Sequence, residues 1–229
     1  FDVRKVPTGI EATFERRLTM FLEAIQRHHP RLQLLKWTKL PYVSSGDTHY
    51  THYTIDMALL VFQKQEPGIA SSSANSVVVP LPKKCLNKDS DTIFNWLATT
   101  MVDHSKNGNW GNVLDAGAGF NSMCWLLRQE YDTITAVTAT TEGRYGSSDL
   151  TQSLSNHKNQ VKIVLGNWQQ NDFFSKSKQF DVVVADYLLG ATERHWSFGA
   201  DAMMDRLLER LLPGGYLLLV GLEPYETTL

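Results

Sequence analysis

The chain of 229 residues carries 22 Lys and Arg against 24 Asp and Glu, a net charge of −2, with 42% hydrophobic and 20% charged residues. That length holds one domain with a full core, or one domain and an extension, and the composition is that of an ordinary globular protein. No basic field invites nucleic acid, and no stretch approaches the roughly 20 apolar residues that cross a bilayer, so neither nucleic acid nor membrane is an expected partner. No secretory leader is visible, so the expected compartment is the cytoplasm. The first residue, Phe1, reads as the start of a processed or trimmed product.

Thr8 to Arg27 reads as an amphipathic helix. Ile10, Phe14, Leu18, Phe21, Leu22 and Ile25 recur at helical spacing, Thr8 and Glu11 form a capping-box pair, and Pro30 closes the helix behind His28-His29. Leu32 to Leu40 is short and mixed. Thr48 to Phe62, which includes the run Met57-Ala58-Leu59-Leu60-Val61-Phe62, fits a strand or a helix equally. Gly68 to Ser76 has linker composition, and Val77-Val78-Val79 is a short extended segment stopped by Pro80 and Pro82. Asp89 or Ser90 is placed to cap a helix carrying Ile93, Phe94, Trp96, Leu97 and Met101, and Lys106 to Asn109 is a turn cluster. Residues 1–105 therefore read as a mainly helical N-terminal extension.

Within that extension, His49-Tyr50-Thr51-His52-Tyr53 holds two histidines three apart, a spacing that shares a helix face but not a strand face. No cysteine or carboxylate completes a metal set at ligand spacing, so no metal is expected. The segment reads first as an aromatic-rich element. Its second reading is substrate contact through His49, Tyr50, His52 and Tyr53.

Further on, Val113-Leu114-Asp115-Ala116-Gly117-Ala118-Gly119 runs from an apolar stretch through an acid into a Gly-x-Gly turn, then into Met123-Cys124-Trp125-Leu126-Leu127. The pattern is a strand feeding a tight turn into a helix. The glycines let the backbone bend and a ligand lie against it, and free N–H groups at the helix start favour a negative or polar group. Ser122 stands at the third-glycine position of the dinucleotide fingerprint, which disfavours a nicotinamide or flavin ligand. Short apolar runs follow at Ile134 to Thr138, at Val161 to Leu165 before Gly166-Asn167-Trp168, at Phe180 to Asp186, and at Tyr216 to Val220 behind Leu212-Pro213-Gly214-Gly215. Separated by helical patterns, they imply a parallel sheet covered on both faces. Cys85 and Cys124 make no disulfide framework, and Cys124 reads as a buried thiol.

The run Val-Leu-Asp-x-Gly-x-Gly at 113–119 resembles the first motif of class I S-adenosylmethionine-dependent methyltransferases. Phe-Asp-Val-Val-Val-Ala at 180–185 and Leu-Leu-Pro-Gly-Gly-Tyr at 211–216 resemble the family's fourth-strand and pre-fifth-strand signatures, in the same order. The resemblance implies an α/β fold: a Rossmann-like, mostly parallel sheet flanked by helices over residues 106–229, with residues 1–105 as a substrate-side cap or lid. It also implies two further strands after the fifth, an antiparallel hairpin at the sheet edge. Only Gly221 to Leu229 remain, so the final edge strands are missing from that end. A longer natural protein, an oligomer or other partner, or an N-terminal strand is expected to cover the edge.

The same resemblance distributes roles. Asp115 holds the amino-acid part of S-adenosylmethionine, with Gly117 and Gly119 allowing close approach and Asn121 and Ser122 capping the helix or touching the ligand. Thr138 stands where the family carries the acid that binds both ribose hydroxyls. A threonine makes a single bond there, and Glu142 is placed to reach instead. Asn167 is the candidate for the adenine amine and Trp168 for its ring, against the plainer reading of a turn asparagine and a core tryptophan. Asp186 and Tyr187 follow the fourth strand on the reacting side. His195 is a candidate general base, and Trp196 a candidate substrate contact. The Asn/Asp-Pro-Pro-Tyr motif of nucleobase and amide methylation is absent. The expected activity is methyl transfer to a small molecule. The alternatives are a protein or peptide acceptor, or a nucleoside-binding relative that transfers an aminopropyl group or serves as an inactive regulatory subunit.

Overall fold

The computed structural model describes residues 10–43, 54–65, 92–104, 108–142, 159–170, 178–196 and 199–222, together with 148, 151–152, 154–157 and 174. Its elements are α1 (Ile10–His28), β1 (Leu32–Val43), β2 (Thr54–Lys64), α2 (Thr92–His104), β3 (Asn112–Asp115), α3 (Phe120–Leu126), β4 (Thr133–Thr138), β5 (Val161–Leu165), β6 (Phe180–Asp186), α4 (Leu188–His195), α5 (Ala200–Arg210) and β7 (Leu211–Leu222), with a 3-10 turn at Ser155–His157. The strands form one sheet in the order β1-β2-β7-β6-β3-β4-β5. Strands β3 to β7 are mutually parallel, whereas β2 runs antiparallel to β7 and β1 antiparallel to β2.

The alternation of each strand sends its side chains to two separate cores. Val113, Val182, Val184, Leu218, Val220, Leu59 and Val61 pack on one face with α2 and α3, where Phe94 stacks on Trp125 at 4.7 Å. Leu114, Val183, Ala185, Leu217, Leu219, Leu60 and Phe62 pack on the other face with α1 and α5. Both faces are covered, as the unbroken apolar runs of the parallel strands require.

The N-terminal region adds two long strands, β1 and β2, to its helices α1 and α2, and these strands join the same sheet as those that follow residue 105. The edge hairpin expected after the fifth strand is supplied from the front of the chain. Leu59 pairs with Val220 and Phe62 with Leu217. The run Leu59 to Phe62 hides its period because β2 is interior. All four side chains are at most 2% exposed, to alternate faces, so polar alternation is absent and helix and strand look alike. Each buried side chain contributes roughly 1.5–3 kcal/mol of transfer free energy. Gln63 adds polar ties across the same pairing, donating to the Gly214 carbonyl at 3.3 Å and to the Tyr216 hydroxyl at 3.2 Å.

Helix α1 follows its expected stripe, with Leu18 and Ile25 buried against the second core and His29 lying 3.7 Å from Asp205 of α5. The described parts of the extension thus build the sheet edge and help to cover its faces. His49, Tyr50, His52 and Tyr53 lie outside the described residues.

Cys124 departs from the expected free thiol: it is disulfide-bonded. The only other cysteine of the chain, Cys85, lies outside the described residues. Alkylation of the denatured, unreduced protein should therefore leave Cys124 unlabelled, and its labelling should appear after reduction. Stoichiometric labelling without reductant, read by intact mass, would show that the bond is not formed.

Candidate functional site

The chain leaves β3 for β4 and β5 on one side, then crosses back to β6 and β7 on the other. The carboxyl ends of β3 and β6 therefore flank the point where strand order reverses, which is where open α/β sheets hold their ligands. Asp115 ends β3 in register with Ala136 of β4 and Val184 of β6. Thr138 and Asp186 lie two residues beyond those partners, one on each flank. By the alternation that puts Val113, Ala136 and Val184 in the α2/α3 core, Asp115, Thr138 and Asp186 share that face. Two strand spacings, about 10 Å, separate the outer pair.

The turn after Asp115 is built for close approach. A Cβ on Gly117 would sit 3.3 Å from the Leu188 Cδ1, a tight contact with the end of a flexible side chain, and 3.7 Å from the Asp186 carbonyl oxygen, so the turn lies close against the end of β6. The Ala116 N–H donates to Val184, and the Ala118 N–H to Val137, tying the turn to both neighbouring strands. The Gly119 N–H donates to the Ser122 hydroxyl at 3.1 Å, and that hydroxyl donates to Asp115 Oδ2 at 2.6 Å. Asp115 is fully buried, and its Oδ1 has no hydrogen-bond partner. Burial raises its carboxyl to about 7, against the opposing pull of the Ser122 hydroxyl and the Gly117 N–H. A buried carboxylate oxygen with no donor fits the ammonium of a ligand's amino-acid part.

The remaining candidates fall in several places. Thr138 is buried, at 5% exposed. Glu142 is exposed in the bend beyond it, its N–H meeting the Thr140 hydroxyl at 3.3 Å. Asn167 is exposed, and its Oδ1 accepts the Gln169 N–H at 2.9 Å, an Asx turn that leaves the amide N–H groups available. Trp168 follows the plainer of its two readings. It belongs to the opposite core with Phe174, and its indole N–H donates to the Ala116 carbonyl at 2.6 Å, so it braces the glycine turn from behind rather than offering a stacking face. Asn121 is half-buried in the first turn of α3.

Tyr187 is half-buried against the α2/α3 core and adopts φ 52°, the one positive φ outside glycine among the described residues. Such a backbone costs of order 1–3 kcal/mol and concentrates at functional positions. Its N–H donates to Val220 at 3.1 Å, which pins the start of α4 to β7. His195 is the last residue of α4, and only its backbone is described. Trp196 packs under the Arg206 guanidinium at 5.0 Å and against Gly199, which ties it to α5.

Two residues escaped the sequence reading. Leu188 is the side chain that packs nearest to Gly117. Leu165, at 51% exposed, ends β5 in register with Thr138 and offers an apolar surface at the rim. An apolar residue closing a strand just before Gly-Asn was the available signal. Among the described residues no group of three or more His, Cys, Asp or Glu could hold a metal, and no helix is long and apolar enough to cross a membrane.

The chain is thus an α/β protein built on one mostly parallel, Rossmann-like sheet covered by helices on both faces, with an edge hairpin and with an acid and glycine turn closing the first parallel strand. No protein-family model and no curated protein matches the chain. Among solved structures it is similar to the DhpI-SAM-HEP complex, with TM-score 0.40 and 15% identity over 59% of this chain and 56% of that one. It is also similar to the N-methyltransferase NodS from Bradyrhizobium japonicum WM9, with TM-score 0.36 and 19% identity over 56% of this chain and 67% of that one. The match thus spans little more than half of the DhpI chain. At these TM-scores the similarities carry no part of the functional argument, which rests on the strand ends.

Proposed function

We propose that the chain binds S-adenosylmethionine and transfers its methyl group to a small-molecule acceptor. The observation that carries this reading is Asp115: a fully buried carboxylate with one unpaired oxygen, set behind a glycine turn at the switch point of the sheet. When bound, the cofactor supplies a methyl group on a sulfonium for in-line displacement. The protein's part is to anchor, align and deprotonate. Asp115 Oδ1 anchors the ammonium. Thr138 gives the ribose one hydrogen bond, with Glu142 as the nearby carboxylate. Asn167 and the Leu165 rim meet the base. Asp186, Tyr187 and His195 stand on the acceptor side, where a proton must leave when a hydroxyl or amine is methylated. His49, Tyr50, His52, Tyr53 and Trp196 remain candidates for substrate contact.

Calorimetry with S-adenosylmethionine, S-adenosylhomocysteine and NAD tests the reading. The first two should bind and NAD should not. A folded protein that binds neither sulfur compound removes the proposal. A second reading, a nucleoside-binding relative without methyl transfer, is favoured by Thr138 in place of the ribose acid. It predicts cofactor binding without turnover on any acceptor. The cytoplasmic setting expected from the sequence stands against the disulfide at Cys124, since such bonds persist mainly in oxidising compartments.

A further inference from the structure

We propose that Ser122 is the positioning residue of this site: its hydroxyl fixes the Asp115 carboxylate through Oδ2 and so leaves Oδ1, buried and without a hydrogen bond, as the oxygen that a cationic ligand group pairs with on entering. The inference rests on the reading of Asp115 as the ligand's anchor. Ser122 is 2% exposed and Asp115 fully buried, so water does not compete for their contact. A hydroxyl has one proton and two lone pairs. The proton has two acceptors in reach, Asp115 Oδ2 at 2.6 Å and the Gly119 carbonyl at 3.1 Å. The shorter distance and the charge of the carboxylate assign it to Asp115. A lone pair takes the Gly119 N–H at 3.1 Å, so the serine is itself held by the glycine turn. One side chain thereby locks the rotamer of the acid to the loop that wraps the ligand.

The arrangement also switches. A proton added to the Asp115 carboxyl at Oδ2 removes the acceptor, and the serine proton turns to the Gly119 carbonyl. Among the described residues few other charges act there; α4, whose Leu188 packs on the turn, carries Glu193, Arg194 and His195 toward its far end. Strand β4 carries no ionisable group, and α3 has neither acid nor base in its end turns. On β6 the ionisable groups are Asp181 at the far end and Asp186 beside the crevice, with Tyr187 beyond it. From behind, Trp168 presents only a neutral N–H. The serine hydroxyl is therefore the main side-chain group favouring the charged acid, in agreement with the direction of its effect on Asp115.

The test is a pH titration of the ligand-free protein, following the assigned Asp115 carboxyl carbon by NMR, for the wild type, Ser122→Ala and Ser122→Thr. The alanine variant should titrate about one pH unit higher than the wild type, as loss of a hydrogen bond to a charged group predicts. Threonine, which keeps the hydroxyl, should restore the wild-type midpoint. S-adenosylhomocysteine affinity near neutral pH should fall roughly tenfold in the alanine variant and recover at higher pH. An unchanged midpoint in Ser122→Ala overturns the proposal. The wild type supplies a check that needs no variant: the Ser122 hydroxyl proton should resist exchange above the midpoint and shift together with the Asp115 carbon across it. Absence of that coupled shift also overturns the proposal. Failure of the wild type to bind S-adenosylhomocysteine would instead remove the ligand reading and leave the titration result standing.

Discussion

Asp115→Asn should raise the melting temperature at pH 8 while weakening S-adenosylhomocysteine binding by roughly ten- to a hundredfold. The two effects share one cause. The folded-state carboxyl titrates at about 7, whereas the unfolded one titrates near its model value of 3.8. The folded state therefore holds the proton more tightly, and stability falls as pH rises from near 4 to about 7, then levels. Above that window the wild type carries a buried charge whose cost is about 4 kcal/mol, which a neutral amide avoids. The gain should be roughly 8–16 °C at pH 8 and should vanish near pH 4. Ligand binding has the opposite demand, because an ammonium needs the carboxylate. Wild-type affinity should drop as pH falls below about 7, since the acid must first give up its proton. Thermal melts and calorimetry at pH 5 and pH 8 check both halves. Equal destabilisation at both pH values would mean that Asp115 is a structural acid.

Removing residues 1–64 should leave no soluble, folded protein. The sheet would lose β1 and β2, and β7 would become an unprotected edge, with Leu217 to Val220 stripped of their β2 partners and paired only with β6. Phe62→Ala gives the graded version, expected to cost about 3–5 kcal/mol because the ring is 1% exposed between two layers. Chemical denaturation of the point variant measures this. A truncated chain that remains monomeric, folded and able to bind S-adenosylhomocysteine would show that the hairpin is an appendage.

The five parallel strands were legible because each is buried on both faces and reads as an apolar run closed by a turn signal. Asp115 and the glycine turn were legible for the same local reason, since residues 113–119 lie together in the chain. What stayed hidden depended on partners far away in sequence. The strand character of Leu59 to Phe62 follows from β7, which begins at Leu211. Trp168 looked like a ring for a ligand to stack on, and its actual partner is the backbone of Ala116 on the other side of the turn. The hydrogen bond from Ser122 crosses from the first turn of a helix to the end of a strand, so residue types alone showed only a serine where a glycine was sought.

The pairing of β2 with β7 also sets the order in which the molecule can be made. Gln63 and Tyr216 are joined across 153 positions, so β1 and β2, the earliest of the described strands to be made, must wait for β7, the latest of them. Until then they carry buried-type residues such as Leu60 and Phe62 on unpaired edges. Contacts this distant slow folding and lengthen the time during which such edges find wrong partners. Newly synthesised chains are thus expected to depend on holding chaperones more than chains of the same size whose edge hairpin is made last.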